Sequence, residues 1–287
     1  MRRDAAVVAL LMVVSACAGD RHLASPRVPA AKSSTTTATS VPASPTSAPA
    51  ATTTIGAPAL APSAPRPPLG GKVVVIDPGH NGGNAAHAAE INQLVDAVTE
   101  KKPCDTTGTA TSDGYTESAY NFDVAERLAG ALRAQGAQVV LTRQTDAGWG
   151  PCITERAAIA NRVGAAVAIS IHADGGPPTG RGFHVIEPAL IAGYTDAIVG
   201  PSQRLALDVR RRFQAATGMP FATYIGSQGV DTRSDLGGLN LSKVPKVFIE
   251  TGNMANRTDA VQLEDPAFRA KAAAGLAAAL EDFLRGL

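Results

Sequence analysis

The chain has 287 residues, 45% of them hydrophobic, and its 26 Lys/Arg nearly balance 25 Asp/Glu for a formal net charge of +1. With no basic run, no zinc-finger spacing and no ladder of aromatics, it lacks a nucleic-acid footprint, and no nucleic-acid partner is expected. Once its opening segments are set aside, about 218 residues remain, enough for one ordinary α/β unit and no second domain.

Met1-Arg2-Arg3 is a basic start, and the apolar residues 5–14 are too few to span a bilayer. Val14-Ser15-Ala16-Cys17 resembles the lipobox of bacterial lipoproteins, whose cysteine is lipidated and becomes the mature N-terminus. Ala16-Cys17-Ala18 also fits the small-x-small rule of ordinary signal cleavage. Either route gives an exported protein of the cell envelope, with residues 1–17 as leader and Cys17 as the candidate for lipidation and membrane anchoring. Residues 18–69 follow as a linker. Over 24–68, 37 of 45 residues are Pro, Ala, Ser or Thr, and none is acidic or aromatic. Such a stretch cannot bury enough apolar surface to offset its ordering entropy, so a disordered, extended tether is expected.

The domain therefore occupies 70–287 and carries 20 Lys/Arg against 23 Asp/Glu, a net of −3. Its first strand lies in Lys-Val-Val-Val-Ile-Asp-Pro-Gly-His, residues 72–80, where a near-continuous apolar run stops at a turn that delivers His80. The spacing of Ile91, Leu94, Val95 and Val98 predicts a short amphipathic helix over 88–99, followed by a long polar loop over 100–114. A helix is predicted over 117–134, with Phe122, Ala125, Leu128, Ala129 and Leu132 as its apolar stripe; Gly136 ends it before a strand at 137–141. A helix over 154–163 feeds a second buried strand that ends at His172. A strand over 181–186 and a helix over 202–216 come next. Residues 217–244 lack regular periodicity and are expected to rim the active face. The strand reaching Glu250 and an Ala/Leu-rich helix over 266–284 complete the domain. This alternation predicts a three-layer α/β/α arrangement around a mostly parallel sheet. It carries no Rossmann nucleotide site, because the Pro78-Gly79-His80 turn has no G-x-G-x-x-G series.

Three apolar strands each end in an ionisable side chain, His80, His172 and Glu250, which points to one crevice at the strand ends. His80, Glu117 and His172 make a two-imidazole, one-carboxylate set, an accepted open shell for catalytic zinc. Taken alone, each histidine could equally be a satisfied hydrogen-bonding residue, and Glu117 a carboxylate at a helix N-terminus. Removal or lipidation of Cys17 leaves Cys104 and Cys152, both in loop sequence, and that parity predicts one disulfide between them; two separate buried thiols are the alternative.

In order along the chain, Asp77-Pro78-Gly79-His80, Glu117 with Asn121, Thr142-Arg143, Arg156 with Asn161, Ser170-Ile171-His172-Ala173, and Ile249-Glu250-Thr251-Gly252 through Asn256 resemble the zinc-dependent N-acetylmuramoyl-L-alanine amidase family, in its short mycobacterial or actinobacterial form. The resemblance covers nearly all of 72–285. It implies Zn2+ held by His80, Glu117 and His172, with Glu250 as the catalytic carboxylate. It further implies a peptidoglycan or muropeptide substrate cut at the amide between N-acetylmuramic acid and L-alanine, and a monomer is expected. The family's paired glycines usually follow the first histidine directly, whereas this chain reads Asn81-Gly82-Gly83, a departure expected to alter substrate fit nearby. Asp77 is open to two roles, orienting a ligand or capping the turn. Arg143 and Arg156 are expected to secure the fold rather than bind substrate. Two other functions remain open at this point: a zinc peptidase for another stem-peptide bond, and a non-catalytic wall-binding protein.

Overall fold

The computed structural model describes residues 67–286. The leader, Cys17 and all of the tether up to residue 66 lie outside the described residues. Leu69, at the end of the predicted linker, is fully buried and donates its N–H to Gln135 O at 2.9 Å, so it belongs to the domain and not to the linker.

In chain order the elements are β1 (Val73–Pro78), a 3-10 turn (Asn84–His87), α1 (Ala88–Ile91), β2 (Leu94–Asp96), β3 (Lys101–Pro103), α2 (Glu117–Ala134), β4 (Gln138–Leu141), α3 (Ile153–Arg162), β5 (Val167–Asp174), β6 (His184–Pro188), α4 (Val199–Thr217), β7 (Val230–Arg233), α5 (Gly237–Asn240), β8 (Lys246–Asn253), α6 (Arg257–Glu264) and α7 (Pro266–Arg285). The central sheet has the order β4-β1-β5-β8-β6-β7. β4, β1, β5 and β8 run parallel; β6 is antiparallel to β8 and parallel to β7.

Strand residues of opposite parity enter different layers, as a period of two requires. Val74, Ile76, Ile169, Ile171, Val247 and Ile249 face the larger core, packed by α2, α4 and α7. Val75 and Ala168 meet Ala160 of α3 in a smaller core on the other face. Helices on both faces explain why these strands read as unbroken apolar runs instead of alternating ones. The three-layer fold is as the sequence predicts. Among the described residues, no helix is long and apolar enough to cross a membrane.

Three local readings are corrected. The predicted helix over 88–99 is only the single turn of α1, preceded by a 3-10 turn and followed by the β2–β3 hairpin in a separate two-stranded sheet. Ile91 is buried but Leu94 is 65% exposed, so the apparent stripe does not form one buried face. Tertiary ties override the local pattern here. Cys104 is bonded to Cys152 (S–S 2.07 Å), its N–H reaches Gln93 O at 2.8 Å, and Ile153 N donates to Cys104 O at 2.7 Å. On α2 the fully buried apolar residues are Tyr120, Val124, Ala125, Leu128, Ala129 and Leu132, while Phe122 lies under the Arg143 guanidinium, 4.9 Å from its ring centre. Residues 217–244, read as irregular, contain β7 and α5.

Candidate metal centre

The C-terminal ends of β1, β5 and β8 converge beside the N-terminus of α2. Thr116 caps that helix by accepting the Ala119 N–H, so Glu117 begins it, at the positive end of the helix dipole. His80 follows β1 in a left-handed conformation, φ 57°, which a non-glycine residue holds only when its surroundings impose it. Two buried arginines impose it here. Arg143 donates to the carbonyls of Pro78 (3.0 Å), Gly79 (3.3 Å) and Ser118 (2.8 Å), and Arg156 to those of Pro78 (2.8 Å) and His80 (3.0 Å). Both therefore secure the turn, as expected. Gly79 is required because a Cβ there would stand 2.1 Å from His172 Cε1.

His80, Glu117 and His172 each present a donor atom, and these atoms all lie within 4.8 Å of one another. Glu117 Oε2 is 3.2 Å from His80 Nε2, and Glu117 Oε1 is 2.9 Å from His172 Nδ1. The Thr109 and Ala173 N–H groups donate to the same carboxylate at 3.0 and 3.2 Å. Burial alone would raise the Glu117 pKa, but His80 and His172 hold it well below the ordinary carboxylate range. Burial alone would lower the His80 pKa; Glu117 and Asp105 instead raise it to about 10. His80 Nδ1 donates to Thr106 O at 3.0 Å, which leaves Nε2 turned to the cluster, the arrangement that prepares an imidazole for a cation. A negative carboxylate cornered by two imidazoles fits a divalent metal.

Glu250 lies on β8 opposite His172 of β5 and, across its other edge, opposite His184 of β6. Its Oε2 is buried with no hydrogen-bond partner among the described residues. Burial, then Glu117 and Asp174, push its pKa well above the ordinary carboxylate value. A partnerless buried oxygen beside a cation site is free to take a proton from water or substrate. A cavity of roughly 220 Å³ opens against the two histidines, with His80, His172, Phe248, Ile153 and Gly237 among its walls.

Asp77 takes neither role that its position in the sequence leaves open. It accepts from Thr142 Oγ1 (2.7 Å), Ser170 Oγ (2.6 Å), Arg156 Nη1 (2.9 Å) and Lys246 Nζ (3.2 Å), and it bonds to neither histidine. Asn161 binds the 241–243 loop through Leu241 O and Lys243 N.

Four neighbours escape sequence reading. Asp105 lies 3.5 Å from His80 Nδ1 and is paired with Arg156 at 2.9 Å. Phe248 stacks on His172, ring centres 5.3 Å apart; its position two residues before Glu250 puts it on the same strand face, a signal the sequence does carry. Tyr224 donates to Asp174 Oδ2 at 2.9 Å, and its ring is so close to Gly176 and Gly180 that a Cβ on either would stand 2.5 or 2.6 Å away. His184 is buried, which lowers its pKa.

Residues 74–282 match the family model described as N-acetylmuramoyl-L-alanine amidase. The chain is 41% identical over 216 residues to N-acetylmuramoyl-L-alanine amidase Rv3717 of Mycobacterium tuberculosis, covering 75% of this chain and 88% of that protein. The crystal structure of the amidase Ami1 from Mycobacterium smegmatis superposes with a TM-score of 0.71 at 42% identity, over 76% of this chain and 99% of the other. Its counterpart from Mycobacterium abscessus gives 0.70 at 40%, over 75% and 100%.

Proposed function

The chain belongs to the N-acetylmuramoyl-L-alanine amidase family, and from that membership we infer that it is a peptidoglycan hydrolase cleaving the amide between N-acetylmuramic acid and the L-alanine of the stem peptide. The observation that carries the reading is the Glu117 carboxylate held between His80 and His172, with the unpartnered Glu250 oxygen on the adjoining strand.

His80, Glu117 and His172 are the residues that would hold zinc, an open three-ligand set of an accepted catalytic type. Zinc in such a site supplies Lewis acidity to the scissile carbonyl and lowers the pKa of bound water. Glu250 takes one proton from the attacking water as its oxygen adds to the carbonyl carbon. It returns that proton to the alanine nitrogen as the C–N bond breaks, giving a lactyl carboxylate and a stem peptide with a free amine. Burial, with Glu117 and Asp174 nearby, raises the Glu250 pKa, the direction that helps a carboxyl hold a proton between the two transfers. Asp105 and Thr106 orient His80, while the Thr109 and Ala173 amides donate to Glu117 and fix its carboxylate in place.

Export belongs to the same proposal: residues 1–17 as a leader, Cys17 as the candidate lipidation site, and 18–66 as a tether that lets the domain reach the wall. Paired variants test the active-site assignment. Glu250→Gln keeps its zinc and fold but loses at least roughly 100-fold in turnover of a muropeptide. His172→Ala loses zinc and turnover together. Near-normal hydrolysis by zinc-loaded Glu250→Gln would remove Glu250 from the chemistry.

A further inference from the structure

Trp149 is the only tryptophan of the chain, and it is placed where no core accounts for it. Among the described residues it joins neither apolar cluster, and it remains 43% exposed. Its indole stacks on the His87 imidazole, with ring centres 5.6 Å apart and 25° between the planes.

The backbone on both sides of this exposed ring is nevertheless pinned. Gly148 O accepts from Gly83 N at 2.8 Å, Gly150 O accepts from Asn81 Nδ2 at 3.0 Å and Arg156 Nη2 at 3.1 Å, and Gly150 N donates to Asn84 Oδ1 at 2.9 Å. A Cβ on Gly82 would stand 2.2 Å from Asp146 O, and one on Gly83 2.4 Å from Gly148 O. The Asn81-Gly82-Gly83 sequence is therefore what receives the Trp149 loop, and its anchors lie within four residues of the metal-site residue His80. Rigid backbone beneath an exposed aromatic is the construction of a preorganised contact, since little freedom is left to lose on binding.

The chemistry of the rim narrows the occupant. An aromatic face carries negative quadrupole charge, which favours the positively polarised axial C–H bonds of a pyranose ring. Glu90, half-exposed and 3.3 Å from His87 Nδ1, offers an acceptor for a sugar hydroxyl, whereas Asp146, three residues before Trp149, is taken up by Arg143 Nη1 at 2.9 Å and Gly82 N at 3.0 Å. The Glu90 carboxylate at this edge disfavours a phosphate-rich polymer and favours an uncharged sugar.

We propose that the stacked Trp149–His87 pair is a saccharide platform that seats an N-acetylated sugar ring of the glycan strand beside the metal centre. The proposal rests on peptidoglycan being the substrate.

Because Trp149 is the sole tryptophan, its emission reports this site alone. The test titrates the zinc-loaded full chain with a β-1,4-linked N-acetylglucosamine tetramer, which has no lactyl amide to hydrolyse. A saturable change in emission is expected, with its midpoint weakened roughly fivefold in His87→Ala. In kinetics, Trp149→Ala raises KM on glycan-borne substrate at least roughly fivefold more than KM on a muramoyl dipeptide, and Trp149→Phe restores most of the difference. An emission unmoved by saturating tetramer, or equal KM changes on both substrates, overturns the proposal. If neither substrate were hydrolysed, the amidase reading would fail instead, and the titration would still decide the platform.

Discussion

Asp77 is enclosed yet ionised, and its value lies in what it holds apart from the metal. Burial alone would raise its pKa, but Lys246 and Arg156, helped by the Ser170 and Thr142 hydroxyls, hold the carboxyl far below the ordinary range. Through Arg156 the same charge steadies the carbonyls of Pro78 and His80, and so the left-handed turn that presents the first imidazole. Asp77→Asn leaves Lys246 and Arg156 buried beside a neutral amide and is expected to cost about 3–5 kcal/mol of stability at neutral pH, measured by urea denaturation. The sign of the pH dependence follows from a depressed folded-state pKa. Asp77 contributes fully above its unfolded value near 4, and that contribution fades as the pH falls further, so the gap between wild type and variant narrows in acid. A gap that stayed constant down to pH 2 would contradict the assignment. Sequence reading isolates Asp77 but not its role, because its partner Lys246 lies 169 residues away and Asp105 sits in an insertion with no periodic pattern.

The insertion between β1 and α2 is the element in which local pattern and tertiary structure conflict most. Apolar spacing over 88–99 mimics a helix, but a hairpin forms, and the disulfide joins its far end to the start of α3. Beyond the disulfide the segment turns inward. The Thr109 amide holds Glu117, and Gly108 packs so tightly that a Cβ there would meet Glu117 Oε2 and His80 Cδ2, each at 2.8 Å. A link between residues 48 apart removes enough unfolded-state entropy to contribute about 4 kcal/mol before native strain is subtracted. Cys104→Ser with Cys152→Ser is therefore expected to lower stability by an amount of that order, and to speed hydrogen exchange in β2 and β3 more than in β5 or β8. Equal acceleration everywhere would contradict a local staple. With a muropeptide analogue bound, amides within 84–114 should gain protection; unchanged exchange throughout would show that the insertion packs remotely from the substrate. The disulfide itself is legible from cysteine parity. The hairpin is not, because three-residue strands carry too little pattern to outweigh a helical spacing.

At the scale of the whole molecule, the sheet order explains why so much of the site is readable from the chain. β1, β5 and β8 are adjacent and parallel, so residues just past three apolar runs, far apart in sequence, arrive at one edge. His80, His172 and Glu250 are visible for that reason. Glu117 is visible as the first residue of a capped helix. Tyr224 and His184 are not, since they enter from β6 and the irregular stretch before β7, whose antiparallel placement against β8 no pattern announces. The same edge brings the His80–Glu117–His172 cluster and Glu250 together, the set that the proposed hydrolysis of a lactyl amide would use. The most direct test is mass spectrometry of the products from a defined muropeptide, with and without a chelator. The account predicts an intact stem peptide ending in a free L-alanine amine, together with a muramic acid that has regained its lactyl carboxylate, and no products once the metal is removed. Shortened stem peptides still attached to the sugar, or undiminished cleavage in chelator, would contradict it.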